Sequence, residues 1–135
     1  MAVTRTRAAL AVQHEQLAAA HVTAVLGLEP TDFFEIGDRY ARDTLSRAHS
    51  HWSLESPSED PSLELQLRSL HDVVAAQADA LRSLSAHGYA LTWTCFVEEE
   101  SGDGAVSLSA ALLRDLGSLP VDLWIDCFSD TEPSA

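Results

Sequence analysis

Residues 60–88 read DPSLELQLRSLHDVVAAQADALRSLSAHG. Leu63, Leu67, Leu70, Val74, Gln77, Leu81 and Leu84 recur in alternating steps of four and three, the spacing of a single helix face. Asp60 reads as the N-cap and Pro61 as the first helical residue. Glu64–Arg68 and Arg68–Asp72 form i,i+4 pairs on the flank, and His87-Gly88 closes the segment. At about 1.5 Å per residue, a helix of about 25 residues is ~38 Å long, so it either bends or crosses a whole sheet.

Working outward, the flanking segments alternate with the period of strands. Tyr89 to Val97 carries Leu91, Trp93, Cys95 and Val97 on one face, with Thr92, Thr94 and Phe96 on the other. His49 to Leu54 puts Trp52 and Leu54 opposite His49, His51 and Ser53. Arg7 to Gln13 reads as a first strand with Ala8, Leu10 and Val12 inward. Glu15 to Leu26 reads as a helix striped by Ala18, Val22, Val25 and Leu26, and Phe33 to Ile36 as a short extended segment. Tyr40 to Ala48 is polar and has no clear period. After an acidic loop (Glu98, Glu99, Glu100, Asp103), Leu108 to Leu116 reads as a short helix capped by Ser107 or Ser109. Val121 to Phe128 is the last strand, with Val121, Leu123, Ile125 and Cys127 inward and Asp122, Trp124, Asp126 and Phe128 outward. The two ends follow one scheme, helix, Leu-Gly, Pro, extended Asp-containing run, which hints at two βαβ-like halves joined by the long helix. The expected class is α+β: one mixed β-sheet with helices packed on one face, loosely ferredoxin-like, with one long helix. A single domain spans 1–135, with an ordered core at 5–128 and a frayed tail at 129–135.

Leu26-Gly27-Leu28-Glu29-Pro30-Thr31, Gly37-Asp38 and Trp52-Ser53-Leu54-Glu55-Ser56 stand out between the first helix and the third strand. The first run has a structural reading. Gly27 can take positive φ at a helix C-terminus, and Pro30 keeps the helix from resuming. Together with the later long helix and the final Leu-Trp-Ile-Asp, from about Arg5 to Phe128, these runs resemble the bacterial family known as domain of unknown function 4279. That resemblance implies no activity.

The 135 residues carry 21 acids against 8 bases, a formal net charge of −13, and every base is Arg. That balance argues against nucleic acid and anionic membranes, which draw on clustered cations, and it permits a basic partner steered by a negative field. No run approaches the ~20 apolar residues of a membrane span, and the N-terminus does not read as a signal peptide; the expected location is cytoplasmic. Cys95 and Cys127 both sit in apolar strands and read as reduced, buried thiols rather than a disulfide framework.

Signatures of nucleophile elbows, phosphate loops, zinc helices and dinucleotide folds are missing, and without Lys there is no Schiff-base chemistry. No cofactor is expected. His49 and His51 share a strand face and, with Asp38 or Asp43 as a third ligand, would make the core of a small metal-dependent enzyme; two surface histidines are the plainer reading. The acidic loop lacks EF-hand spacing. Asp122 and Asp126 lie about 13 Å apart along one strand, too far for a glycosidase pair. The outer face of the last strand is the more informative surface. Trp124, Phe128 and Phe96 with Asp122 and Asp126 form the expected binding site, since aromatics anchor interfaces and carboxylates select a cationic partner. The expected function is therefore a non-enzymatic binding or interaction domain, immunity-protein-like in one concrete version, with a protein partner of basic character and a homodimer through the outer sheet face as a further expectation. The alternatives are the metal-dependent enzyme at His49 and His51, and a regulatory domain with a ligand pocket between helices and sheet.

Overall fold

The computed structural model describes residues 3–40, 45–99 and 105–129. Asp43, Glu100, Asp103 and the tail from residue 130 lie outside the described residues. The order is β1 (Val3–His14), α1 (Ala19–Leu26), β2 (Asp32–Phe34), β3 (Ser50–Glu55), α2 (Leu63–Val74), a 3₁₀ turn at Ala75–Gln77, α3 (Ala78–Ala86), β4 (Ala90–Glu99), α4 (Ala110–Gly117) and β5 (Asp122–Ser129). One mixed sheet runs β2-β3-β1-β4-β5. β1 is antiparallel to both β3 and β4, and β2 is antiparallel to β3. These four strands have the order and directions of a ferredoxin-like split βαβ. β5 departs from that pattern by lying parallel to β4. The hint of two equivalent halves does not hold: β3 separates β1 from β2, whereas β4 and β5 are direct neighbours.

The long seam is the spine of the core. Leu63, Leu67, Leu70, Val74, Leu81 and Leu84 are all buried, as the four-three spacing requires. They meet Ala8, Leu10 and Val12 of β1, Trp52 of β3, and Leu91, Trp93, Cys95 and Val97 of β4. The segment is not one regular α-helix. Val74 (φ −103, ψ −8) and Gln77 (φ −105, ψ 27) bracket the 3₁₀ turn that separates α2 from α3. Its start also differs from the sequence reading. Ser62, not Asp60, is the N-cap, accepting from Leu65 N, while the Asp60 carboxylate accepts from Ser62 N and shapes the turn before it. Arg68 and Glu64 do not pair along their own helix. Arg68 bridges to Asp115 of α4, and Glu64 accepts from Ser109 N at the start of α4. The charges on that flank thereby fasten α4 to α2. The Asp115 carboxyl is held below its ordinary value by its hydrogen bond from Arg68.

α1 begins at Ala19, not at Glu15, because the His14 ring intervenes. Its Nδ1 accepts from both Gln16 N and Leu17 N, closing a turn directly after β1. The stripe is consequently Ala19, Val22 and Leu26, with Ala18 exposed. Ala18 has no side chain to cap the helix, so Glu35 does it from the other side of the loop, accepting from Ala19 N and Ala20 N. Gly27 ends α1 at φ 68 with its N–H on Thr23 O. Thr31 then pairs to β3, accepting Glu55 N on its hydroxyl and donating its N–H to Ser53 O. Gly37 turns at φ 89, and Asp38 accepts Glu35 N. Trp52 donates its indole N–H to Thr23. The Leu-Gly-x-x-Pro-Thr, Gly-Asp and Trp-Ser-Leu-Glu-Ser runs thus build one corner of the fold, and their chemistry is spent on holding it.

The two cysteines part company. Cys95 is buried, and burial pushes its thiol up to about 12. Cys127, expected in the core, is exposed. Its face was read correctly, since it lies level with Val97. What fails is the cover: the helices lie chiefly over β1, β3 and β4, and at the β5 edge Ile125 still packs against the core while Cys127 does not.

Candidate functional site

All described helices pack on the Leu10–Trp52–Trp93 side, and among the described residues no helix lies over the other side of the sheet. Pairing registers fix what that side displays. Across the strands, one row runs Phe34, His51, Gln13 and Ala90; the next Asp32, Ser53, Ala11, Thr92 and Asp122. A third runs Glu55, Ala9, Thr94 and Trp124, a fourth Arg7, Phe96 and Asp126, and a last one Arg5, Glu98 and Phe128. The middle strands therefore present small side chains (Ser53, Ala9, Ala11, Thr92, Thr94), and the aromatics stand toward the two edges. A trough results. Its β5 side holds a depression of ≈ 660 Å³ lined by Ala11, Gln13, Thr92, Thr94, Asp122 and Trp124, among others.

The five residues expected to form a binding surface, Trp124, Phe128, Phe96, Asp122 and Asp126, all lie on this open side. Trp124 is 48% exposed, Phe96 41% and Phe128 39%. Phe96 and Trp124 meet edge to face with ring centroids 5.4 Å apart, a favoured aromatic geometry. No described helix covers them. Asp122 and Asp126 form no ion pair or side-chain hydrogen bond among the described residues. The nearby cations are already engaged: Arg7 pairs with Glu55 at 3.0 Å and Arg5 with Glu98 at 3.7 Å. The corner around Trp124 is therefore apolar and negatively charged at once.

The opposite corner holds a cluster that the sequence did not reveal. Phe34 stacks on His51 at 5.1 Å and meets His49 edge-on at 5.4 Å. The Arg47 guanidinium lies over Phe34 and Tyr40, 4.0 and 3.7 Å from their centroids. The signal lay in the pairing of β2 with β3, which no period in either strand alone supplies. His51 Nδ1 stands 2.8 Å from Gln13 Nε2. Burial lowers the His51 pKa, partly offset by Asp32. Asp38, the suggested third metal ligand, uses its carboxylate on Glu35 N, and no group of three or more His, Cys, Asp or Glu among the described residues is placed to hold a metal ion. His14, at the end of β1, and His21, on α1, both pack their rings on Tyr89, at 4.7 and 6.1 Å. A depression of ≈ 960 Å³ at the end of the sheet is bordered by His14, His49 and His87 with Glu15. The space between helices and sheet, where a ligand pocket was an alternative, is filled by Trp52, Trp93 and the leucine seam.

Residues 4–129 match the family described as a domain of unknown function, DUF4279. The match covers nearly the whole described fold, and the chain belongs to that family. None of the curated proteins and none of the solved structures compared with it matches. No helix among the described residues is long and apolar enough to cross a membrane.

Proposed function

We propose that the domain is a non-enzymatic interaction module whose open sheet face seats a basic protein partner. The observation that carries this reading is the Phe96–Trp124 pair, exposed on a helix-free sheet beside two carboxylates with no partner of their own among the described residues. Exposed aromatics supply apolar anchorage at low entropic cost. Unpaired carboxylates select cations and, on a chain of formal charge −13, speed their approach. Phe128 extends the anchor toward Arg5 and Glu98. Neutralisation of a basic toxin, the immunity-like version, is one form this would take in a cytoplasmic setting.

The test uses Trp124 as its own reporter, because Trp52 and Trp93 are both fully buried. The domain is titrated with lysozyme as a basic probe, and with lysozyme whose lysines have been acetylated. The Trp124 indole NMR signal should shift with the first and not with the second, and the signals of Trp52 and Trp93 should stay in place. Asp122→Asn with Asp126→Asn should abolish the response, which should also weaken as salt is raised. A response that is equal for both probes, or that appears at Trp52 first, would overturn the reading.

A further inference from the structure

The two edges of the sheet are built differently. β2 is three residues long, follows Pro30 closely and is cut off by the turn at Gly37. Short edges with a nearby Pro are a standard means of blocking strand addition. β5 has none of this. It is eight residues long, contains no Pro or Lys, and pairs with β4 without a bulge. Among the described residues β4 is its only substantial neighbour. It exposes apolar side chains on both faces: Trp124 and Phe128 on the open side, Leu123 (39%) and Cys127 on the helix side. A long, apolar, unpaired edge is a template for another strand.

We propose that the strand it takes is β5 of a second copy, antiparallel, about a two-fold axis at Ile125, giving one continuous ten-stranded sheet. The register follows from charge and face. With Ile125 opposite its own copy, Leu123 opposes Cys127, Trp124 opposes Asp126, and Asp122 opposes Phe128. Apolar residues then meet on the helix side, and no carboxylate directly faces another. A shift of two residues one way sets Asp122 against Asp126; the other way sets Asp126 against itself. Like charges directly opposite are destabilising. Odd shifts bring the helix-covered side of one copy level with the open side of the other. The strand is therefore self-complementary in one full-length register, as an isologous contact requires. This interface is an edge, so it does not depend on the open face binding a basic partner. It would, however, bring two Trp124 corners together on one side.

Salt separates the two ideas. Each copy carries a formal charge of −13, so self-association tightens as salt screens repulsion, whereas a basic partner is released. Sedimentation equilibrium of the full chain should give twice the 14.6 kDa chain mass, with a dissociation constant that falls severalfold as salt rises. The register is tested by Leu123→Cys. Directly opposed antiparallel residues stand about 4.5–5.5 Å apart at Cα, within disulfide range. Diamide, which takes up the two electrons and two protons released, should couple the introduced thiol of one copy to Cys127 of the other and give a covalent dimer. The wild type should give none, because the two Cys127 residues would be about 13 Å apart. Trp124→Glu, facing Asp126 of the second copy, should shift the chain to monomer with an unchanged circular dichroism spectrum. A chain that stays monomeric at all salt concentrations overturns the proposal. So does a dimer in which wild-type Cys127 couples to itself while Leu123→Cys adds nothing.

Discussion

The same three central strands present two unlike surfaces, and the contrast separates what holds this molecule from what it can offer. On the helix side, Leu10, Val12, Trp52, Trp93 and Cys95 are buried against a continuous leucine seam. On the open side, the same strands show Ala9, Ala11, Ser53, Thr92 and Thr94, with aromatics gathered only toward the edges. Large residues at the centre of one face and small ones at the centre of the other are what a sheet needs if it is to be covered once and left accessible once. The exposed aromatics are thus not leftovers of an incomplete core. They stand where no described element of this chain covers them.

The helix side holds a second contrast, between its covered centre and its β5 edge, and the largest expected effect is kinetic and lies there. Cys95 and Cys127 lie two residues apart in register, yet one is buried and the other exposed. A bulky thiol reagent should modify Cys127 in the native protein at once. Cys95 should react only through opening of the fold, slower by on the order of a thousandfold or more if opening costs about 5 kcal/mol. Equal rates would place β4 and β5 in the same environment and dissolve the comparison.

Next comes a pair of truncations read side by side. Leu70→Ala, in the centre of the seam, should cost about 2–5 kcal/mol in urea unfolding. Trp124→Ala, on the open face, should change stability by less than about 1 kcal/mol while weakening the binding of the basic probe, read by calorimetry. A Trp124→Ala cost matching that of Leu70→Ala would make the open face part of the core.

How much of this was readable from the sequence follows the same division. The leucine seam, the alternation in β4 and the helix stop at Gly27 were legible because each is a local period or a local backbone demand. Cys127 was misread because alternation tells which way a side chain points and not whether anything lies over it; burial at an edge depends on where neighbouring helices end. The Phe34–His51–Arg47 cluster was invisible for a related reason, since it exists only once β2 is registered on β3. The outer aromatics of β5 were legible as a face, and their accessibility became clear only from the placement of every described helix on the other side.

Gln66 is a third kind of residue that no period exposes, a buried amide on the helix side. Its Oε1 accepts from Ala8 N at 2.9 Å, and its Nε2 donates to Thr6 O and Asp60 O, each at 2.8 Å. It thereby satisfies the backbone of β1 where β3 has ended. Gln66→Leu keeps the apolar volume and strands three backbone groups, so it should cost about 2–3 kcal/mol, less than the leucine truncation at its upper end. Slower protection loss at Ala8 than at Leu10 by hydrogen exchange in this variant would show that the amide is not what holds that stretch.

The smallest effect lies on the open face itself and sharpens the comparison through pH. Burial leads the causes that lower the His51 pKa, with His49 and Arg47 adding to it and Asp32 opposing. The unfolded chain then takes up this proton at a higher pH than the folded one does. The stability tied to the neutral ring is accordingly complete above about pH 6.5 and declines as pH falls through the folded value. Half-exposure and solvent screening keep the slope shallow. The Arg68–Asp115 pair also loses its contribution on acidification, but only near and below the ordinary carboxylate range, because Asp115 is lowered from an already low value. Urea unfolding between about pH 7 and about pH 5.5, a window set around the ordinary histidine value, should therefore show a slight loss of stability that His51→Gln flattens, since glutamine can still accept from Gln13 and does not titrate. An identical slope in that variant would assign the loss to another histidine and leave the Phe34 corner electrostatically silent.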